Sequence, residues 1–146
     1  MAMRLLALDP GRTVGWAAFD KGASGERYHS GQVKDDQVWH LLESSKLNLK
    51  GLDLLIVESF KYRQLPKADL TPVEVIGIVK EWARQFQVDV TWQTPSQAKF
   101  FFTDDRIKKL GLYRPGKPHA MDAMRHLLYY LGFGKGVVLG EEVIVR

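Results

Sequence analysis

Apolar residues in the first third of the chain fall into short runs bounded by glycine and polar turn residues, which predicts strands. Residues 4–9 are apolar up to an Asp-Pro-Gly turn, 14–19 form a second run, and 26–33 form a more polar third with Gly25 and Gly31 nearby. Strand, turn, strand, strand is an antiparallel meander. The period then changes. Asp35 and Asp36 stand where they can cap a helix on which Val38, Leu41 and Leu42 keep helical spacing, ending before Gly51. Residues 54–57 are continuously apolar and end at Glu58, the pattern of a strand buried on both faces. Thr71-Pro72 with Glu74 opens the clearest helix, carrying Val75, Ile76, Val79, Trp82, Ala83 and Phe86 at intervals of three and four. Residues 88–92 alternate as a fifth strand and Pro95 opens a short helix. A last helix over 117–131 carries a stripe of Ala120, Ala123, Met124, Leu127, Leu128 and Leu131. The order βββαβαβα predicts an α/β architecture: a five-stranded mixed sheet, three antiparallel strands followed by helix-linked ones, flanked by helices.

Composition narrows this picture. A chain of 146 residues with 45% hydrophobics supports one core, so 1–146 reads as a single domain, with 136–146 as a C-terminal extension. No apolar stretch approaches the roughly 20 residues of a bilayer span, and the first residues lack a cleavable signal pattern, so a cytoplasmic protein with no membrane partner is expected. The chain has no cysteine. Disulfides, cysteine-bound zinc and thiol nucleophiles are therefore excluded, and any metal must sit on carboxylates, carbonyls or histidine. The net charge is only +4, but the segment 99–117 alone holds six basic residues (Lys99, Arg106, Lys108, Lys109, Arg114, Lys117) against Asp104 and Asp105. Phe100, Phe101, Phe102 and Tyr113 are interleaved with them, a mixture suited to phosphate contact with base or sugar packing. A solvated loop over a small aromatic core reads the same way.

Four residues carry candidate chemistry. Asp9 closes a buried strand beside a tight turn, and Glu58 closes another, where an unpaired carboxylate is costly. His119 and Asp122, three apart, share one face of the last helix. Asp122 borders an apolar stripe where a solvated acid is out of place. Each has a plainer reading, as a turn residue, a salt bridge or a helix-end histidine, and His126 on the same edge reads as structural or supporting. Together they supply hard ligands for Mg²⁺ or Mn²⁺, and two such ions about 4 Å apart hydrolyse phosphodiesters.

The stretches Leu6-Ala-Leu-Asp-Pro-Gly-Arg-Thr-Val-Gly-Trp, Ile56-Val-Glu-Ser-Phe, Thr94-Pro-Ser-Gln-Ala-Lys99 and His119-Ala-Met-Asp-Ala-Met resemble, in order and interval, the RuvC family of Holliday junction resolvases within the ribonuclease-H-like nucleases. The match spans about residues 4 to 131. The resemblance implies a catalytic tetrad of Asp9, Glu58, His119 and Asp122 holding two ions, with Lys99 near the scissile phosphate. It implies a homodimer that makes paired nicks in four-way DNA junctions and leaves 5′-phosphates. Family members place a wedge aromatic three residues after the Glu. This chain has Lys61 there, between Phe60 and Tyr62 and followed by Arg63, so that loop is expected to meet the DNA. The short run from Lys99 to His119 is more like a bacteriophage-encoded resolvase, acting in a host cytoplasm, than a cellular one. The helix over 72–86, with its broad apolar stripe, is the expected dimer surface.

Other readings share parts of this pattern. Asp9, Gly11 and Gly15 also fit the phosphate loop of actin-like and sugar kinases, but those clamp nucleotide between two such domains and this chain supplies one. A non-catalytic branched-DNA binder gains nothing from clustered carboxylates near phosphates. A same-fold nuclease acting on RNA stays open.

Overall fold

The computed structural model describes residues 2–48, 51–60 and 69–134. Lys61, Tyr62, Arg63 and the extension 136–146 lie outside these described residues.

Five strands form one mixed sheet in the order β3-β2-β1-β4-β5. β1 (Met3–Asp9), β2 (Thr13–Gly22) and β3 (Gly25–Lys34) make the expected meander. Asp9 stands opposite Gly15, and Gly15 opposite Gln32, so the three form a row across the sheet. β4 (Leu54–Glu58) joins the other side of β1 in parallel, and β5 (Asp89–Gln93) joins β4 in parallel. Parallel neighbours need crossovers. Helix α1 (Val38–Asn48), entered through a 3-10 turn at Asp35–Gln37, provides one and α2 (Thr71–Phe86) the other. Three further helices follow, α3 (Pro95–Phe101), α4 (Asp104–Lys109) and α5 (Pro118–Tyr129).

Alternation along the strands divides the core into two layers. Leu5, Ala7, Ala17, Phe19 and Ile56 pack against α5, together with Phe102 and Ile107. Leu6, Leu8, Val14, Leu55 and Val57 pack on the opposite face against α1 and α2. The same alternation aims the strand-end acids: Asp9 continues the Leu5 and Ala7 side, Glu58 continues the Ile56 side, and both face α5.

Several expectations are corrected. Val75, Val79, Trp82 and Ala83 of α2 are buried against the chain's own sheet. The stripe therefore packs on the chain's own sheet, while Val73 and Ile78 of the same helix are exposed. The fifth strand starts at Asp89 because Gln87 takes a left-handed conformation (φ 54°) and Val88 N–H bonds the Ala83 carbonyl at 3.0 Å, finishing α2 first. Within the basic segment lies α4, whose first turn holds Asp104 and Asp105 and whose Thr103 hydroxyl accepts from Arg106 N–H at 3.4 Å. α5 ends at Tyr129 and passes into a π turn, Tyr130–Gly134, in which Leu131 is still buried. No helix among the described residues is long and apolar enough to cross a membrane.

Candidate active site

Asp9 and Glu58 each stand one residue past Leu8 and Val57, which pair in the parallel β1–β4 ladder. The two carboxyls therefore meet at the same end of adjacent strands, on rigid backbone. From the helix above them, His119 Nδ1 comes to 3.6 Å from Asp9 Oδ2. Asp9, His119 and Asp122 are, among the described residues, the group whose ligand atoms lie within 4.8 Å of one another. Glu58 stands outside that trio and is joined to it by its hydrogen bond with Asp9.

Two features of the meander bring α5 this close. A Cβ at Gly15 would collide with the backbone of His119 and Ala120, so glycine is needed for the helix to lie on β2 beside Asp9. Gln32, next in the same row, accepts through Oε1 from the backbone N–H of His119 at 2.9 Å and of Ala120 at 3.3 Å. These amides lack partners within the helix, so the Gln32 side chain anchors its first turn to β3.

The electrostatics are those of a site short of positive charge. Burial, then a hydrogen bond to Glu58, then the negative charges of Glu58 and Asp122 push the Asp9 carboxyl up to about 9. Asp9 holds a proton at neutral pH and donates it to Glu58. Burial alone would raise Glu58 too, but hydrogen bonds from His126 and from the Asp9 carboxyl hold it below the usual carboxylate range. Asp122 is fixed by Arg125, whose Nη1 donates to Asp122 Oδ1 at 3.0 Å, whose Nε donates to the Phe102 carbonyl at 2.8 Å, and whose Nη2 pairs with Asp104. The other Asp122 oxygen, Oδ2, faces Lys99 Nζ at 3.9 Å. Neither Arg125 nor Gln32 stands out in the sequence, since the bonds of Arg125 to Phe102 and Asp104 and of Gln32 to the α5 amides join residues far apart in the chain.

Lys99 separates two clefts. One, of about 610 Å³, opens beside Asp122 and is bordered by Arg114, Lys117 and Arg125. The other, of about 520 Å³, lies against Glu58, Phe60, Thr94 and Ser96. Phe60 is 37% exposed at its rim. The rest of the basic segment is less free than its charge suggests. Arg106 lies 4.3 Å over the Phe101 ring and donates to the Phe101 carbonyl at 2.8 Å, Arg114 donates to the Ser30 carbonyl, and Lys108 lies 4.7 Å over the Tyr113 ring. Phe101 and Phe102 pack edge to face, whereas Phe100 is 88% exposed.

A scan against protein-family models finds no match, and a search of curated proteins finds none. Solved structures do match. RuvC of Thermus thermophilus superposes with a TM-score of 0.71 at 17% identity, over 92% of this chain and 96% of that one. The chain has the fold of RuvC. The same Thermus protein in complex with a Holliday junction substrate gives a TM-score of 0.72 at 17% identity over the same shares of each chain. The yeast mitochondrial Holliday junction resolvase gives 0.58 at 11% identity over 92% and 84% of the two chains. The fowlpox virus Holliday junction resolvase gives 0.54 at 15% identity over 88% and 98%. The five-stranded sheet and its flanking helices are the fold these structures share with this chain.

Proposed function

We propose that the chain is a structure-selective endodeoxyribonuclease that resolves four-way and related branched DNA by metal-dependent phosphodiester hydrolysis. The observation that carries this reading is the meeting of Asp9 and Glu58, from two strand ends, with His119 and Asp122, from one helix face. Two half-buried carboxyls hydrogen-bonded to each other, with a third nearby, form a donor set suited to a divalent cation. The RuvC-like fold supports the reading, since one solved neighbour is held with a Holliday junction.

Three carboxylates and one imidazole fit Mg²⁺, with Mn²⁺ tolerated through His119. When bound, two such ions supply an activated water and stabilise the leaving oxygen. The chain's own residues do the rest. Asp9, Glu58, His119 and Asp122 would hold the ions, with Asp9 in its ionised form. Lys99, at the boundary of both clefts, neutralises charge on the scissile phosphate. Arg114, Lys117, Lys108 and Lys109 meet flanking phosphates, and Phe60, with Lys61, Tyr62 and Arg63 after it, meets the junction centre. Paired nicks need two sites related by a two-fold axis, so a homodimer belongs to the reading. A DNA substrate of this kind, in a cell or in a phage-infected host, places the work in the cytoplasm.

The test is cleavage of labelled four-way junction, fork, flap, duplex and RNA–DNA hybrid with Mg²⁺. Preferential cutting of the junction on two opposing strands is expected, with binding and no turnover when Ca²⁺ replaces Mg²⁺. Preference for the hybrid would replace the DNA reading with an RNA one.

A further inference from the structure

His126 is only 1% exposed, in the middle of the apolar stripe by which α5 packs on the sheet. A leucine or methionine there would serve packing as well, and a polar ring in that position is costly unless its nitrogens are bonded. Both are. Nδ1 lies 2.8 Å from Gln93 Oε1 and Nε2 lies 3.1 Å from Glu58 Oε2. A carboxylate only accepts, so Nε2 carries hydrogen and donates to Glu58 whichever way the Gln93 amide is turned. Glu58 and Gln93 are themselves neighbours in the β4–β5 ladder, and Ser59 N–H bonds the Gln93 carbonyl at 2.8 Å. The imidazole therefore clasps two adjacent strand ends at once. It stands four residues after Asp122 and seven after His119, on the same helix face.

We propose that His126, held in turn by Gln93, is a positioning residue that fixes the Glu58 carboxylate relative to Asp122 and His119 for divalent-ion binding. The inference rests on the reading above that Glu58 is a metal ligand. Its physical basis is that α5 carries two of the four ligands and the sheet carries the other two. Without this cross-link the Glu58 carboxylate keeps its bond to Asp9 on the neighbouring strand and loses its bond to the helix that carries Asp122 and His119. Groups that orient metal ligands typically change metal affinity by about 10–100-fold when removed.

The test is Mn²⁺ binding to the full chain without DNA, followed by electron paramagnetic resonance, for wild type, His126→Leu and His126→Gln. His126→Leu keeps an apolar filling and removes the donor, so its Mn²⁺ affinity is expected to fall about 10–100-fold with the melting temperature nearly unchanged. His126→Gln restores an N–H donor and is expected to recover most of the affinity. In junction cleavage the Leu variant should lose kcat and keep KM. If His126→Leu does not fold, Gln93→Met, which leaves the imidazole buried and removes only its outer partner, is expected to weaken Mn²⁺ binding in the same direction. Unchanged Mn²⁺ affinity in the folded variant, equal loss in the Leu and Gln variants, or a wild type that binds no Mn²⁺ would overturn the proposal. Because binding is read without nucleic acid, a wild type that takes up Mn²⁺ through His126-held Glu58 and cuts no junction would sink the resolvase reading and leave this one standing.

Discussion

Gly15 and His119 are in contact through bare backbone: a Cβ on Gly15 would fall 1.8 Å from the His119 carbonyl oxygen. Gly15 is also the residue opposite Asp9 in the β1–β2 ladder, so the glycine sets how near His119 and Asp122 come to Asp9. Replacing it with alanine forces α5 outward. Gly15→Ala is expected to cost about 1–3 kcal/mol in stability. It should also lower junction cleavage about a hundredfold, the scale of a 1 Å misplacement of catalytic groups. Gly77, inside α2, is the control: a Cβ there meets nothing within 4 Å. Gly77→Ala should stabilise by about 0.5–1 kcal/mol and leave cleavage unchanged. Denaturant melts and single-turnover cleavage of both variants check this.

The raised Asp9 carboxyl makes the metal-free protein sensitive to pH in a definite direction. In the unfolded chain Asp9 ionises near 3.8, in the folded chain near 9. Between these values the folded state holds a proton that the unfolded state has lost, so this group's contribution to stability falls as pH rises from about 4 to about 9. Asp9→Asn, which is neutral throughout, should raise the metal-free melting temperature at pH 8 and flatten its decline with pH. On the proposed reading that Asp9 ligates a divalent ion, binding requires that proton to leave, so wild-type Mg²⁺ affinity should strengthen with pH across the neutral range. Thermal melts against pH, with chelator and then with Mg²⁺, read both effects, and a wild-type profile matching that of Asp9→Asn would count against a protonated Asp9.

The basic segment divides into cations that serve the chain and cations that face outward. Arg106 is tied to Phe101 by a stacked ring and a carbonyl bond, so Arg106→Ala is expected to lower stability more than DNA affinity. Lys109→Ala with Lys117→Ala should weaken junction binding and reduce its salt slope by up to about 2, since roughly one counterion is released per neutralised phosphate. Affinity measured between 50 and 200 mM salt distinguishes them, and equal slopes for wild type and the double variant would mean that these lysines face away from DNA.

Lys99 stands apart from that group because it faces Asp122 Oδ2 at 3.9 Å and borders both clefts. Lys99→Ala should slow turnover of already bound junction while changing affinity little. Single-turnover rates at saturating enzyme check this, and loss of affinity with an unchanged rate would make Lys99 one more backbone contact.

Period and punctuation along the chain carry most of the architecture. The strands and helices stand within a few residues of where apolar spacing, Pro72, Pro95 and the glycines put them, because burial on two faces of one sheet imposes those periods. Asp9, Glu58 and Asp122 stand out in the sequence because each ends or interrupts an apolar run, and His119 only through its three-residue spacing from Asp122. What periodicity does not encode is a polar contact between residues far apart in the chain: Gln32 to the α5 amides across 87 and 88 positions, or His126 to Glu58 across 68. The α2 stripe shows the opposite failure, since an amphipathic face looks the same whether it packs on its own sheet or on another molecule. Helix α4 is marked by Thr103 and two acids ahead of Ile107, a signal that the surrounding basic charge masks.

The central claim is that the two strand-end acids are the ion-binding heart of a junction nuclease, and the most direct measurement is Mg²⁺-dependent cleavage of a four-way junction by wild type, Asp9→Asn and Glu58→Gln, with junction binding followed in parallel. The wild type is predicted to nick two opposing strands, and both amide variants to lose cleavage by orders of magnitude while still binding the junction. Near-normal cleavage by Asp9→Asn would contradict the account.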